Sequence, residues 1–323
     1  MFEQWELGTK PPKPSSVTAS YASNAITVTC SEGGKSISFT AKISYPSSGK
    51  GPFPAIIGIG GSSIPIPADV AQITFDNDGM AAEQSPSSHG TGLFFNLYGS
   101  SANAGALIAW AWGVSRLIDA LEITPSANID TTRLGVTGCS RDAKGAFIVG
   151  AFDNRIALTI PQESGSGGAA CWRISDSQHA AGKNIQTASE IVTENAWFSP
   201  VFNQYADSTS TLPHDHHFLA ALTWPRGLFV IENDIDWLGP VSTTGCMEIG
   251  QLIYQALGNE DAFGFTCSSP HTHCSFPSSQ QADLTTFITT YLVNKSNTTS
   301  LVQNSDKAVT LNSYYSWTVP NLS

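Results

Sequence analysis

The stretch 134–147, LGVTGCSRDAKGAF, places a serine where a short apolar strand would turn sharply into a helix. A hydroxyl on such a turn can act as a nucleophile if a base takes its proton and an acid orients that base. Gly138 is small enough for the backbone to turn ahead of Ser140, and Ala143, Gly145 and Ala146 would let the next helix approach the sheet. The two-glycine form of this turn, G-x-S-x-G, is not met, because position 142 is Asp. A polar turn and helix N-cap is the simpler alternative for Ser140. For the base, His271 and His273 in SPHTHCSF (269–276) lie well downstream, as the chain order serine, acid, histidine requires. For the acid, Glu163 ends the apolar run IALTIPQE, while Asp234 and Asp236 follow the run GLFVIEND. The pattern leaves all three open.

These side chains need a sheet to hold them. Residues 8–20 are Pro-rich and read as an extended lead-in. Residues 25–31 and 36–45 alternate apolar and polar, which predicts antiparallel strands joined at Glu32-Gly33-Gly34. The apolar runs 54–61, 134–138, 156–164 and 227–234 predict buried strands. Residues 104–121, 145–152, 245–258 and 280–294 have the spacing of helices. Strand and helix alternate, so the fold class is α/β with a mostly parallel central sheet covered on both faces. No repeat or internal linker interrupts it, and residues 1–323 read as one domain. Trp110 and Trp112 are expected in the core, and Trp197, Phe198 and Trp224 in structural roles. Trp237 follows a strand, at the end of the sheet where ligands bind, and is expected to touch one.

Charged residues make up only 13% of the 323-residue chain, and its net charge is −11. So acidic a chain does not suit a nucleic-acid backbone or an anionic membrane surface. No run of about 18 apolar residues marks a membrane span. Met1 is followed at once by FEQWELG, which reads as domain sequence, so the N-terminus is expected to be truncated after loss of an export segment. The six cysteines form no C-x-x-C pair, which predicts disulfides and secretion rather than a metal site. Asn294, Asn297 and Asn321 stand in N-glycosylation tripeptides. His214, His216 and His217 in PHDHHF could suggest a metal, but with no second cluster at zinc spacing a surface or pocket-rim loop is expected.

GCSR with Lys144, PQESGSGGAACWR (161–173) and HTHCSF (271–276) together resemble the fungal glucuronoyl esterases of carbohydrate esterase family 15. The likeness runs from WELG (5–8) to the C-terminal helix. It implies an α/β-hydrolase catalytic domain, a three-layer αβα sandwich with an open site. It implies Ser140 as nucleophile, His273 as general base, Glu163 as orienting acid and Arg141 as oxyanion donor. Lys144, Gln186, Glu194 and Trp237 match the family's sugar-contact positions. The same resemblance pairs Cys139 with Cys274 and Cys171 with Cys246, which removes Cys274 as a zinc thiolate beside His271 and His273. The implied substrate is an ester of 4-O-methyl-D-glucuronic acid of glucuronoxylan with a lignin alcohol, cleaved without cofactor or metal; a monomer is the default expectation. Rival readings are an esterase of the same fold acting on other carbohydrate esters such as acetyl xylan, and an impaired glucuronoxylan-binding relative. The chain departs from the family at Ala143, where glycine is usual, and lacks an N-terminal cysteine pair. If that position needs positive φ the alanine disturbs the turn; if it is helical the alanine favours it. Cys30 and Cys267 match no family pair and either bond each other or stay free.

Overall fold

A computed structural model describes residues 1–267, 270–293, 299–320 and 322. The first three strands, β1 (Ser16–Ala22), β2 (Ala25–Glu32) and β3 (Lys35–Ser44), pair antiparallel. Each connection is a two-residue turn with positive φ at both positions: Ser23 (51°) and Asn24 (57°), then Gly33 (55°) and Gly34 (79°). Such turns match the right-handed twist of the strands they join. The stretch expected to be only an extended lead-in therefore already enters the sheet at Ser16.

The chain continues through β4 (Phe53–Ile59), β5 (Ala71–Phe75), α1 (Asn77–Met80), α2 (Leu93–Tyr98), α3 (Ala106–Glu122), β6 (Ile129–Cys139) and α4 (Arg141–Phe152). Then come β7 (Ile156–Gln162), α5 (Trp172–Ala180), α6 (Ala188–Glu194), α7 (His217–Thr223), β8 (Gly227–Glu232), α8 (Pro240–Ala256), β9 (Phe263–Cys267), α9 (Gln281–Ile288) and β10 (Val302–Ser305). The ten strands lie in the order β1-β2-β3-β5-β4-β6-β7-β8-β9-β10. From β5 to β10 all pairings are parallel.

Parallel strands buried on both faces must be apolar on both, and their side chains alternate between two cores. Ile57 of β4, Val136 of β6 and Val230 of β8 join Trp110, Trp112 and Phe147 on one face. Ile56, Leu158, Ile160, Phe229 and Ile231 meet Leu284, Phe287 and Ile288 of α9 on the other. Each such side chain contributes roughly 1.5–3 kcal/mol by leaving water. The result is the expected three-layer αβα sandwich. Among the described residues, no helix is long and apolar enough to cross a membrane. The asparagines at 294, 297 and 321 lie outside the described residues.

The topology separates Cys30, in β2, from Cys267, in β9, toward opposite edges of the sheet. Both are free and buried. Burial pushes their thiols up to about 11 and about 12 respectively, so neither is a ready nucleophile.

The histidine cluster corrects an expectation. His214 and His216 are buried, not on a surface or rim loop. Both donate Nε2–H to the buried carboxylate of Glu6, at 2.9 and 2.7 Å, and so dock the N-terminal segment. Burial alone would raise the Glu6 carboxyl, but the charge of His216 and the hydrogen bonds of both imidazoles outweigh it and hold the group at about 2 instead of 4.5. A lowered carboxyl stabilises the fold above its unfolded value and loses that contribution as pH falls from about 4.5 toward 2. His216, raised above its ordinary 6.5, contributes below that value and loses the contribution as pH climbs through its folded pKa. Glu6→Gln is therefore expected to cost most near pH 5–6, about 3–5 kcal/mol for a broken buried pair, and progressively less toward pH 2. Thermal unfolding of both proteins across pH checks this; a constant difference would contradict it.

Candidate active site

The C-terminal ends of β6, β7, β8 and β9, consecutive neighbours in the sheet, collect the candidate residues. Ser140 stands between β6 and α4 with φ 62° and ψ −124°, a conformation costly for any residue with a Cβ. A Cβ on Gly138 would lie 2.5 Å from the Asp142 carbonyl, so this turn requires the glycine. Ala143 does not have positive φ and sits buried in the first turn of α4, its N–H donating to Ser140 O at 3.0 Å. Alanine therefore fits a helical position here and leaves the turn intact.

Ser140 N–H donates to Gln162 O at 2.9 Å, which sets the serine beside Glu163. Glu163 is fully buried and also strained, with φ 55°. Its Oε2 accepts from His273 Nδ1 at 2.6 Å, the Cys274 amide at 2.8 Å and Asn233 Nδ2 at 3.2 Å. Its Oε1 accepts from His271 Nε2 at 3.0 Å and Gln162 Nε2 at 3.1 Å. Burial is the largest influence and raises this carboxyl, but the bonds from His273, Cys274, Asn233 and Gln162 outweigh it and lower the pKa. The group stays ionised where a neutral imidazole can accept a proton. Nδ1 of His273 is committed to Glu163, so its Nε2 is the nitrogen that can serve as a base.

The Cys139–Cys274 disulfide, with Cα atoms 5.8 Å apart, joins the residue before Ser140 to the residue after His273. Cys274 also has positive φ. Among the described residues six non-glycine residues have positive φ, and three of them, Ser140, Glu163 and Cys274, meet here; the others are Ser23, Asn24 and Asn128. Backbone strain of this kind persists where surrounding structure enforces it. The second bridge, Cys171–Cys246, ties the start of α5 to α8. Among the described residues, both groups with metal-ligating types and spacing contain one of these disulfides, so their sulfurs are not thiolates.

The other acid candidates lie apart from this arrangement. Asp234 pairs with Lys307 at 2.8 Å, and Asp236 is exposed at the start of a short 3-10 turn. His271 contacts the same carboxylate as His273, a position that spacing alone did not reveal.

The polar residues expected to meet a sugar differ in their surroundings. The Trp237 ring packs edge-on against the His273 ring at 5.0 Å, and Gln186 N–H donates to Trp237 O at 3.2 Å. Glu194 is exposed at the last turn of α6. Lys144 is more enclosed than expected: its ammonium donates to Ser164 O and lies 4.9 Å above the Trp197 ring. Desolvation, partly offset by Glu232, lowers it to about 8. Glu232, buried at the end of β8, is raised by that burial to about 7 although the Gly165 and Asn233 amides donate to it. Arg141 begins α4, so its backbone N–H has no acceptor within the helix and is available to an oxyanion. Its guanidinium meets the buried carboxylate of Glu83 at 2.7 Å. Glu83, Asn233 and Trp197 were missed as site residues because nothing in their local sequence marks them. Trp224, expected in a structural role, is partly exposed.

A serine on a strained turn, an imidazole whose far nitrogen is held by a buried carboxylate, and a neighbouring guanidinium can together perform acyl transfer. A family model described as glucuronyl esterase, fungi, matches residues 28–258. A Neurospora crassa protein named 4-O-methyl-glucuronoyl methylesterase is 59% identical over all of this chain and 82% of its own length. A Hypocrea jecorina protein of the same name is 56% identical over all of this chain and 70% of its own. The crystallised glucuronoyl esterase catalytic domain from Hypocrea jecorina superposes with a TM-score of 0.98 at 55% identity, covering 100% of this chain and 89% of that one. A serine-to-alanine variant of the Sporotrichum thermophile glucuronoyl esterase, solved with methyl 4-O-methyl-β-D-glucopyranuronate, superposes at 0.97 with 56% identity, covering 100% of this chain and 88% of that one. This chain thus has the α/β-hydrolase fold, is a carboxylic ester hydrolase, and belongs to the fungal glucuronoyl esterase family.

Proposed function

We propose that this enzyme cleaves the ester between 4-O-methyl-D-glucuronic acid of glucuronoxylan and a lignin alcohol, through a Ser140–His273–Glu163 relay. The observation that carries this reading is the 2.6 Å bond from His273 to buried Glu163, beside a serine turn tethered by Cys139–Cys274. The uronate ester bound to the Sporotrichum neighbour supports the acyl half of the substrate.

In the first step Ser140 Oγ attacks the uronate carbonyl while His273 Nε2 takes the hydroxyl proton. The tetrahedral oxyanion is met by the Arg141 amide and guanidinium. The bond to the alcohol oxygen then breaks, and His273 returns the proton to that oxygen. Water, deprotonated by the same nitrogen, attacks the glucuronoyl–serine ester and releases glucuronic acid and Ser140. Lys144, Gln186, Glu194 and Trp237 hold the sugar: donors and acceptors for its hydroxyls, and an indole beside its ring. Two disulfides suit an oxidising compartment, and we place the enzyme outside the cell.

Hydrolysis of benzyl glucuronate, acetylated xylan and a p-nitrophenyl alkyl ester by the same preparation tests the substrate class. Selective cleavage of the uronate ester is expected. Cleavage of the other esters alone would keep the hydrolase and reject the substrate, and binding of glucuronoxylan without any cleavage would reject catalysis.

A further inference from the structure

Glu83 lies in the loop between α1 and α2 and is 1% exposed. A buried carboxylate is costly unless donors satisfy it. Three side chains do so. Arg141 Nη1 donates to Oε1 at 2.7 Å. Trp197 Nε1 donates to Oε2 at 2.6 Å, and Asn195 Nδ2 to the same oxygen at 3.2 Å. The main chain of Glu83 is held from the same side, its carbonyl accepting from the Ala196 amide at 3.1 Å.

Each donor leads to a different part of the site. Arg141 follows the serine, and about half of its side chain remains open to solvent, so a single buried anchor decides where its guanidinium points. Trp197 carries the Lys144 ammonium over its ring. Asn195 closes α6 immediately after Glu194. We propose that Glu83 is a positioning residue for ester cleavage: one carboxylate that aims Arg141 at the oxyanion and sets Lys144 and Glu194 for the sugar through Trp197 and Asn195. The inference rests on the serine-esterase reading above. Glu83 touches no reacting atom; it acts through the groups it holds.

Glu83→Gln preserves the side chain's shape and can still accept from Trp197. It lacks the charge that fixes Arg141. The expected result is a loss of about 10- to 100-fold in kcat on benzyl glucuronate, below the full cost of deleting an oxyanion donor. KM should rise by a smaller factor. In the Arg141→Ala background the same substitution should cost much less, because the residue it positions is already gone. A role in folding alone would lower the melting temperature and leave both kinetic constants and that coupling unmoved. Should Glu83→Gln not accumulate folded, Trp197→Phe and Asn195→Ala each remove one of the carboxylate's donors and are expected to lower kcat/KM several-fold. Rates within twofold of the parent, or equal losses with and without Arg141, would overturn the proposal. Ser140→Ala assayed alongside separates the two readings: activity surviving in that protein rejects the serine mechanism, whatever Glu83 does.

Discussion

Ser140→Ala is expected to lower kcat on benzyl glucuronate by about 10⁴- to 10⁶-fold, the range seen when a triad nucleophile is removed. The fold should survive. Ser140 N–H keeps its bond to Gln162 O, and alanine bears the same Cβ as serine in the strained turn. Melting temperature is expected to stay within a few degrees of the parent, and affinity for the uronate is expected to remain. Loss of activity with intact binding places the hydroxyl in the chemical step. A loss under tenfold would mean that the hydroxyl takes no part in the chemical step.

The second large effect is at Glu163. Five donors converge on its two oxygens, two of them from imidazoles. Glu163→Gln keeps the shape but replaces one accepting oxygen with an NH₂ that faces donors. His273 then loses the partner that fixes its tautomer, a change that costs about 10⁴-fold in kcat in a serine protease triad. Here a loss of about 10²- to 10⁴-fold is expected, with KM little changed, since no sugar contact is removed. Each buried donor left without an acceptor also costs about 1–3 kcal/mol, so this variant should melt lower than Ser140→Ala. Steady-state kinetics and thermal unfolding on the same preparations read both effects. An active Glu163→Gln protein would point back to Asp234 or Asp236 as the acid.

Much of this arrangement follows from local sequence, and the rest depends on distance. The β4, β6, β7 and β8 runs were legible because strands buried on both faces are continuously apolar. The elbow was legible because a small residue must precede the turn, as Gly138 does. The choice among Glu163, Asp234 and Asp236 was not, until the family likeness was weighed. Nothing in the run IALTIPQES announces that Glu163 will take positive φ and turn under His273, 110 residues later. His214 and His216 read as an exposed loop because their partner, Glu6, lies 208 and 210 residues away. Glu83 was silent for the same reason, its donors lying 58 to 114 residues downstream. Short elements such as β5, β9 and β10 carry too few residues for a period to show, and only pairing with longer neighbours defines them.

The most direct measurement is to label the enzyme with diisopropyl fluorophosphate, with and without excess methyl glucuronate, and to map the adduct by peptide mass spectrometry. The account predicts one adduct per chain, on Ser140, formed in step with loss of esterase activity and slowed by the uronate ester. Full activity after labelling, or inactivation with the adduct on any other residue, would contradict it.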